Sequence, residues 1–181
     1  MKWPSKPLTV RAKLLHRMAR YWQMEAANVV AVPLMMAFFS RGQLGWPAAI
    51  AIVPMSGMLA VGTIYLRAKY RQVAFVEPIT QALRLVAGAQ VPMLLGSVLA
   101  LGIAGSVWLW PDVTQGLAER WVVTVAALLA ALEYVNYYHR QLQHFDNAND
   151  WRRLLAGRGF RPSQLRRDLE RAGLRRVQPD R

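Results

Sequence analysis

The chain has 181 residues, 54% of them hydrophobic, a formal charge of +13 and no cysteine. Disulfides, thiolate catalysis, thiol-attached haem and cysteine-based zinc or iron–sulfur sites are therefore excluded. Apolar sequence gathered into runs of about twenty residues, the length needed to cross about 30 Å of hydrocarbon, predicts one membrane-embedded domain flanked by tails.

Four such runs occur, at about 21–40, 46–66, 88–110 and 121–138. The expected fold class is an all-α integral membrane protein with four transmembrane helices and amphipathic cytoplasmic helices at both termini. The expected parts are a basic arm (1–20), a four-helix membrane domain (21–140) and a basic tail (141–181).

In the arm, Thr9 is the expected N-cap of an amphipathic helix. Val10, Leu14 and Met18 share one face, and Arg11, Lys13, Arg17 and Arg20 occupy much of the rest. This segment is expected to lie in the membrane interface before turning into the first span. The first span follows some twenty polar and basic residues and precedes no small-x-small cleavage site, so it reads as a retained helix. Pro33, Pro54 and Pro92 fall inside the first three spans and predict kinks, whereas Pro47 opens the second, where its missing N–H costs nothing.

Small residues are frequent in the second, third and fourth spans, at spacings such as Ala100/Ala104, Gly102/Ser106 and Ala127/Ala131. They predict close helix packing, within one chain or between copies. In the connection from 67 to 86 the second helix is expected to run on through Lys69 and Arg71. Pro78 then starts a helix continuous with the third span, with Glu77 and Thr80 as capping groups.

Beyond the fourth span the helix is expected to continue to Gln143 or Phe145. A short helix should follow at 151–156, then a second from Pro162 or Ser163 to about Ala172, stopped by Gly173. The leucines of that last helix, Leu165 and Leu169, suit a membrane surface or a partner groove; a solvated tail is the alternative.

Twenty-one of the 23 Lys and Arg residues lie in the arm, the second connection and the tail; Arg41 and Arg120 alone lie in the other two loops. The positive-inside rule then places both termini in the cytoplasm. Topology accounts for the basic excess, so nucleic acid is not an expected partner. Anionic lipid headgroups are, with about 1 kcal/mol for each basic residue beside the membrane. The residues expected to meet them are Arg11, Lys13, Arg17, Arg20, Lys69, Arg71, Arg152 and Arg153. An excess of Arg over Lys points to a high-GC bacterium, hence to a bacterial inner membrane.

Polar groups inside spans mark the candidate site. The first span carries Glu25 and Asn28; the fourth carries Glu133, Asn136 and Tyr137, on a face expected to continue through Arg140 and His144. Both glutamates begin a Glu-x-x-Asn pattern and fall at similar depth, one to two turns below the cytoplasmic interface. If the first and fourth helices are neighbours, two carboxylates and two amides converge, a set suited to a cation or a proton. A di-iron bundle would need further carboxylates and Glu-x-x-His. His139 and His144 are too few for a histidine-rich oxygenase, and no phosphate-binding loop is present. The bland alternative is structural: Arg17, Arg20 or Arg140 pairing with the carboxylates, and the asparagines bonding across helices.

The sequence identifies no cofactor and completes no catalytic set. The leading expectation is a non-enzymatic accessory, scaffold or assembly subunit of a larger membrane complex. The alternatives are a small proton- or cation-coupled transporter using Glu25 and Glu133, and an enzyme acting on a lipid or isoprenoid headgroup.

Overall fold

A computed structural model describes residues 9–142 and 160–174 of the chain. Within them lie five helices: α1 (Val10–Phe39), α2 (Trp46–Phe75), α3 (Thr80–Leu109), α4 (Leu117–Tyr138) and α5 (Gln164–Arg171). A 3-10 turn, Pro111–Val113, joins α3 to α4. The first four helices are long and apolar enough to cross a membrane. They run up and down in turn. One end, here the tail end, gathers the start of α1, the α2–α3 connection, the end of α4 and α5. The other, the loop end, carries the two remaining connections.

Packing divides the bundle unevenly. α2, α3 and α4 each pack against the other two, while α1 packs chiefly along α2. Of α1's residues only Glu25 and Met36 are buried. The loop-end half of the core is built from small side chains, among them Ala48, Ala51, Ala100, Ala126, Ala127 and Ala130. These let helix backbones approach, so the alanine pairs of the sequence serve contacts inside the chain. The tail-end half holds larger groups: Tyr65, Tyr134, Tyr137 and Tyr138 with Leu165 and Leu169. Gly96 faces the ring of Pro54, where an added Cβ would lie 3.0 Å from the proline Cβ.

Thr9 caps α1 as expected, accepting the Ala12 amide at 3.3 Å. The expected turn between arm and first span is absent: α1 is one helix from Val10. Its sequence contains no glycine and no proline before Pro33, so nothing interrupts the ladder. α2 does run past Lys69 and Arg71, and α3 does begin soon after Pro78 as one helix with the third span. The expected caps at Glu77 and Thr80 are not used, since the α3 N-cap is Ile79 with no side-chain bond. Glu77 instead pairs with Arg71 at 2.7 Å. The turn between them holds Val76 at φ +59°, in the left-handed region, as the C-cap of α2, and Pro78 disfavours helix at Glu77, the residue before it.

The fourth helix stops at Tyr138, several residues short of the expected limit. Side chains near its end redirect the backbone. Asn136 Oδ1 accepts the Leu142 amide at 2.8 Å, an alternative to the helical ladder that asparagine offers. The chain then pairs antiparallel with 160–163, Gln141 N–H to the Arg161 carbonyl and Ser163 N–H to the His139 carbonyl. The Ser163 hydroxyl donates to the Tyr137 carbonyl, one of the four that a helix C-terminus leaves without a partner.

α5 forms where expected, with Ser163 as N-cap and Gly173 at φ +68° beyond its end. Its leucines do not face a membrane surface or an open groove. Leu165 and Leu169 are 1% and 0% exposed, packed into the tyrosine-rich core at the tail end. Asp168 fixes the helix there, accepting from Tyr65 Oη at 2.7 Å and pairing with Lys69 Nζ at 3.0 Å. The short helix expected at 151–156 lies outside the described residues.

Candidate functional site

Glu25 and Glu133 stand at one level of the bundle. At 1.5 Å per residue, Glu25 is about 21 Å along α1 from Phe39, and Glu133 about 24 Å along α4 from Leu117. α1 runs antiparallel to both α2 and α4; α2 packs along each of them, while α1 and α4 do not pack against each other extensively. Between them is a cavity of about 250 Å³, lined by Glu25, Asn28, Glu133 and Tyr137. Its remaining wall is Tyr21, Met24, Val32, Met55, Leu59, Leu66 and Leu129.

Glu25 is 8% exposed. Tyr137 Oη donates to its Oε1 at 2.5 Å. Gly62 on α2 makes room for this pair. An added Cβ there would lie 2.2 Å from Tyr137 Oη and 2.8 Å from Glu25 Oε1. On the other wall, Asn136 Nδ2 donates to Glu133 Oε2 at 3.2 Å, so that asparagine holds the carboxylate with its nitrogen and the backbone turn with its oxygen. Asn28 lines the cavity and makes no side-chain hydrogen bond among the described residues.

The structure thus gathers Glu25, Asn28, Glu133 and Tyr137 around one space, with Asn136 behind Glu133. Arg140 is not on that face. It lies past the end of α4, is exposed, and donates to the Phe160 carbonyl at 2.9 Å. His144 lies outside the described residues. Of the other arginines expected to neutralise the carboxylates, Arg17 stacks on Tyr21, with its guanidinium carbon 5.4 Å from the ring centroid, and Arg20 is exposed.

Among the residues expected at headgroups, Arg11, Lys13, Arg17 and Arg20 are exposed on the first turns of α1. Arg11 also reaches the Val73 carbonyl at 3.3 Å. Lys69 is turned inward to Asp168, its side chain 16% exposed, and Arg71 is exposed beside Glu77. Arg152 and Arg153 lie outside the described residues.

Four residues with structural weight carry little sequence signal. Gly62 is one of many small residues in α2, and Tyr65 and Asp168 meet only through α5. Glu119 is the clearest omission. It is 1% exposed at the loop end, accepting the Gly45 amide at 2.6 Å and the Gln115 amide at 2.7 Å. One carboxylate thereby ties the α1–α2 connection to the α3–α4 connection. Its place, three residues after the N-cap Gly116, is the position from which a glutamate reaches back to amides at a helix start. No protein-family model, curated protein or solved structure matches this chain.

Proposed function

We propose that the protein is a small proton- or cation-coupled transporter of the bacterial inner membrane, with both termini cytoplasmic, and that Glu25 and Glu133 carry the coupling. The observation behind this reading is the shared cavity: carboxylates from α1 and α4, more than a hundred residues apart in sequence, line one space of about 250 Å³. Anionic oxygens enclosed by methionine and leucine side chains need a counter-charge. Among the described residues that line the cavity none is basic, and in this reading a proton or a cation binds there. α1, attached mainly along α2, is the element whose small displacement would open the space.

The test is ion movement in proteoliposomes. Imposed proton or cation gradients should dissipate faster with the protein than without it. Glu25→Gln and Glu133→Gln should each reduce that flux to the protein-free level. Flux unchanged in both variants would reject the reading. Orientation is accessible because the chain has no cysteine: Lys13→Cys and Arg84→Cys should react with an impermeant maleimide from the cytoplasmic side, and Arg41→Cys from the opposite side.

The accessory role is the second reading. Its support is the outer side of α5, where Arg167 and Arg171 are exposed on a helix whose leucines are held inside. That surface is available to anionic headgroups or an acidic protein. Stoichiometric partners that co-purify equally with wild type and with the glutamine variants, together with absent flux, would favour it. The headgroup-enzyme reading gains nothing, since Arg140 and Arg17 turn away from the cavity.

A further inference from the structure

We propose that the crevice between α1 and α4 is a docking site for one anionic phospholipid of the tail-end leaflet, with an acyl chain in the crevice and the phosphate at Arg17 and Arg20. The proposal needs the chain to span a membrane. It goes beyond the transporter reading and does not depend on either glutamate moving an ion.

Depth is the first observation. The lining runs along α1 from Tyr21 to Val32 and along α2 from Met55 to Leu66. At 1.5 Å per residue either stretch is about 16 Å long, and half of a hydrocarbon layer of about 30 Å is about 15 Å. The crevice is therefore one leaflet deep. Its tail-end mouth at Tyr21 lies about 27 Å along α1 from Phe39, the loop-end limit of that helix, so it opens at the edge of the hydrocarbon.

Width and wall are the second. About 250 Å³ spread over about 16 Å of length gives a slot about 16 Å² in section, the girth of a single extended chain. Its long side is open, since α1 and α4 do not pack extensively and the rim residues Tyr21 and Met24 are 40% and 55% exposed. Glu25 and Glu133 take hydrogen bonds from Tyr137 and Asn136 within the protein. Methionine and leucine side chains make up most of the remaining wall, and methionine adapts to irregular apolar shapes.

Charge at the mouth is the third. Arg17 lies one turn beyond Tyr21 on the same face of α1 and stacks on its ring. Stacking occupies the face of the guanidinium and leaves its N–H edge for phosphate oxygens. Arg20 is exposed next to Tyr21, and no acidic residue precedes Glu25 in α1. The headgroup level of this helix is thus wholly cationic, directly above an apolar slot. That combination complements a lipid with a net negative headgroup and gives no advantage to a zwitterionic one.

The experiment uses the full chain, purified in detergent and stripped of lipid, with native mass spectrometry during titration with dioleoyl phosphatidylglycerol, dioleoyl phosphatidylcholine or glycerol phosphate. Phosphatidylglycerol should bind first at one per chain, at least about tenfold more tightly than phosphatidylcholine. Arg17→Gln combined with Arg20→Gln should abolish that preference and leave phosphatidylcholine binding unchanged, while the paired lysine changes should retain most of it. Met24→Trp, at a rim residue 55% exposed and so of small consequence for folding, should weaken both lipids by about tenfold by filling the slot. Glycerol phosphate, the anion without a chain, should not bind at the same concentrations. Equal affinity for the two lipids, a preference that survives the paired glutamine changes, or phosphatidylglycerol binding undiminished in Met24→Trp would overturn the proposal. Glycerol phosphate binding as tightly as the lipid would overturn it in favour of a free anion. A dimer that forms without lipid and is lost in Met24→Trp would overturn it in favour of a second copy of the chain.

Discussion

Replacing Gly62 by alanine places a methyl carbon 2.2 Å from Tyr137 Oη, 2.5 Å from its Cζ and 2.8 Å from Glu25 Oε1. None of these atoms has free room to retreat, because Tyr137 is 8% exposed and hydrogen-bonded to a carboxylate that is 8% exposed. Overpacking of this kind costs about 1–3 kcal/mol. Losing the Tyr137–Glu25 bond adds about 1–3 kcal/mol. Alanine returns about 1 kcal/mol through its better helix propensity. The balance is a destabilisation of about 3 kcal/mol. Gly88→Ala is the control, a helical glycine whose added Cβ would meet nothing within 4 Å; it should be neutral or stabilise by up to about 1 kcal/mol. Reversible unfolding in mixed detergent micelles, followed by circular dichroism, gives both numbers. A Gly62→Ala protein as stable as Gly88→Ala would refute the geometry of the Glu25–Tyr137 pair. A second check is coupling: Tyr137→Leu should cost less in the alanine background than alone, because the ring it removes is the group displaced by the methyl.

Three further outcomes use the same unfolding assay. Leu169→Ala should cost about 2–5 kcal/mol, as for a buried leucine, while Leu174→Ala, at a position 39% exposed, should stay within about 0.5 kcal/mol; equal small effects would mean that α5 is not docked. Glu119→Ala should cost about 2–4 kcal/mol by releasing two charge-assisted bonds from amides, and wild-type stability in that variant would remove the proposed tie between the two loop-end connections. Val76→Gly should stabilise by up to about 1 kcal/mol, because a β-branched residue at positive φ is strained and Val76 is 85% exposed, so no packing is lost; a loss of stability would count against the left-handed turn.

The four long helices were legible because each apolar run is bounded by charges, turns or aromatic residues, and hydropathy needs no knowledge of neighbours. The common level of Glu25 and Glu133 followed from antiparallel arithmetic alone. Their sharing of a cavity did not, since it depends on which helices flank α2. The run from Glu133 to Tyr138 was conspicuous in sequence and now divides by contact. Asn136 holds Glu133 and the turn, Tyr137 meets Glu25, and Tyr138 donates to the Val86 carbonyl at 2.6 Å. α5 shows the limit from the other side. Its spacing of leucines among arginines fits an interfacial helix as well as a docked one. Only Asp168, matched to Tyr65 across 103 residues, decides between them, and no local pattern reveals a partner so distant.

The bond between Glu25 and Tyr137 also bears on how the chain is made. Its two ends are 112 residues apart, so the first helix leaves the ribosome well before its tyrosine exists. At about 5–20 residues per second that interval is about 6–20 s. For an inserting chain, α1 then meets lipid with an acidic group that has no hydroxyl to receive and little neighbouring protein to shield it. Such a segment is a weak first anchor. If the chain spans a membrane as proposed, full commitment of α1 to the bilayer waits on completion of α4, and a helix made well before α4 settles only with it.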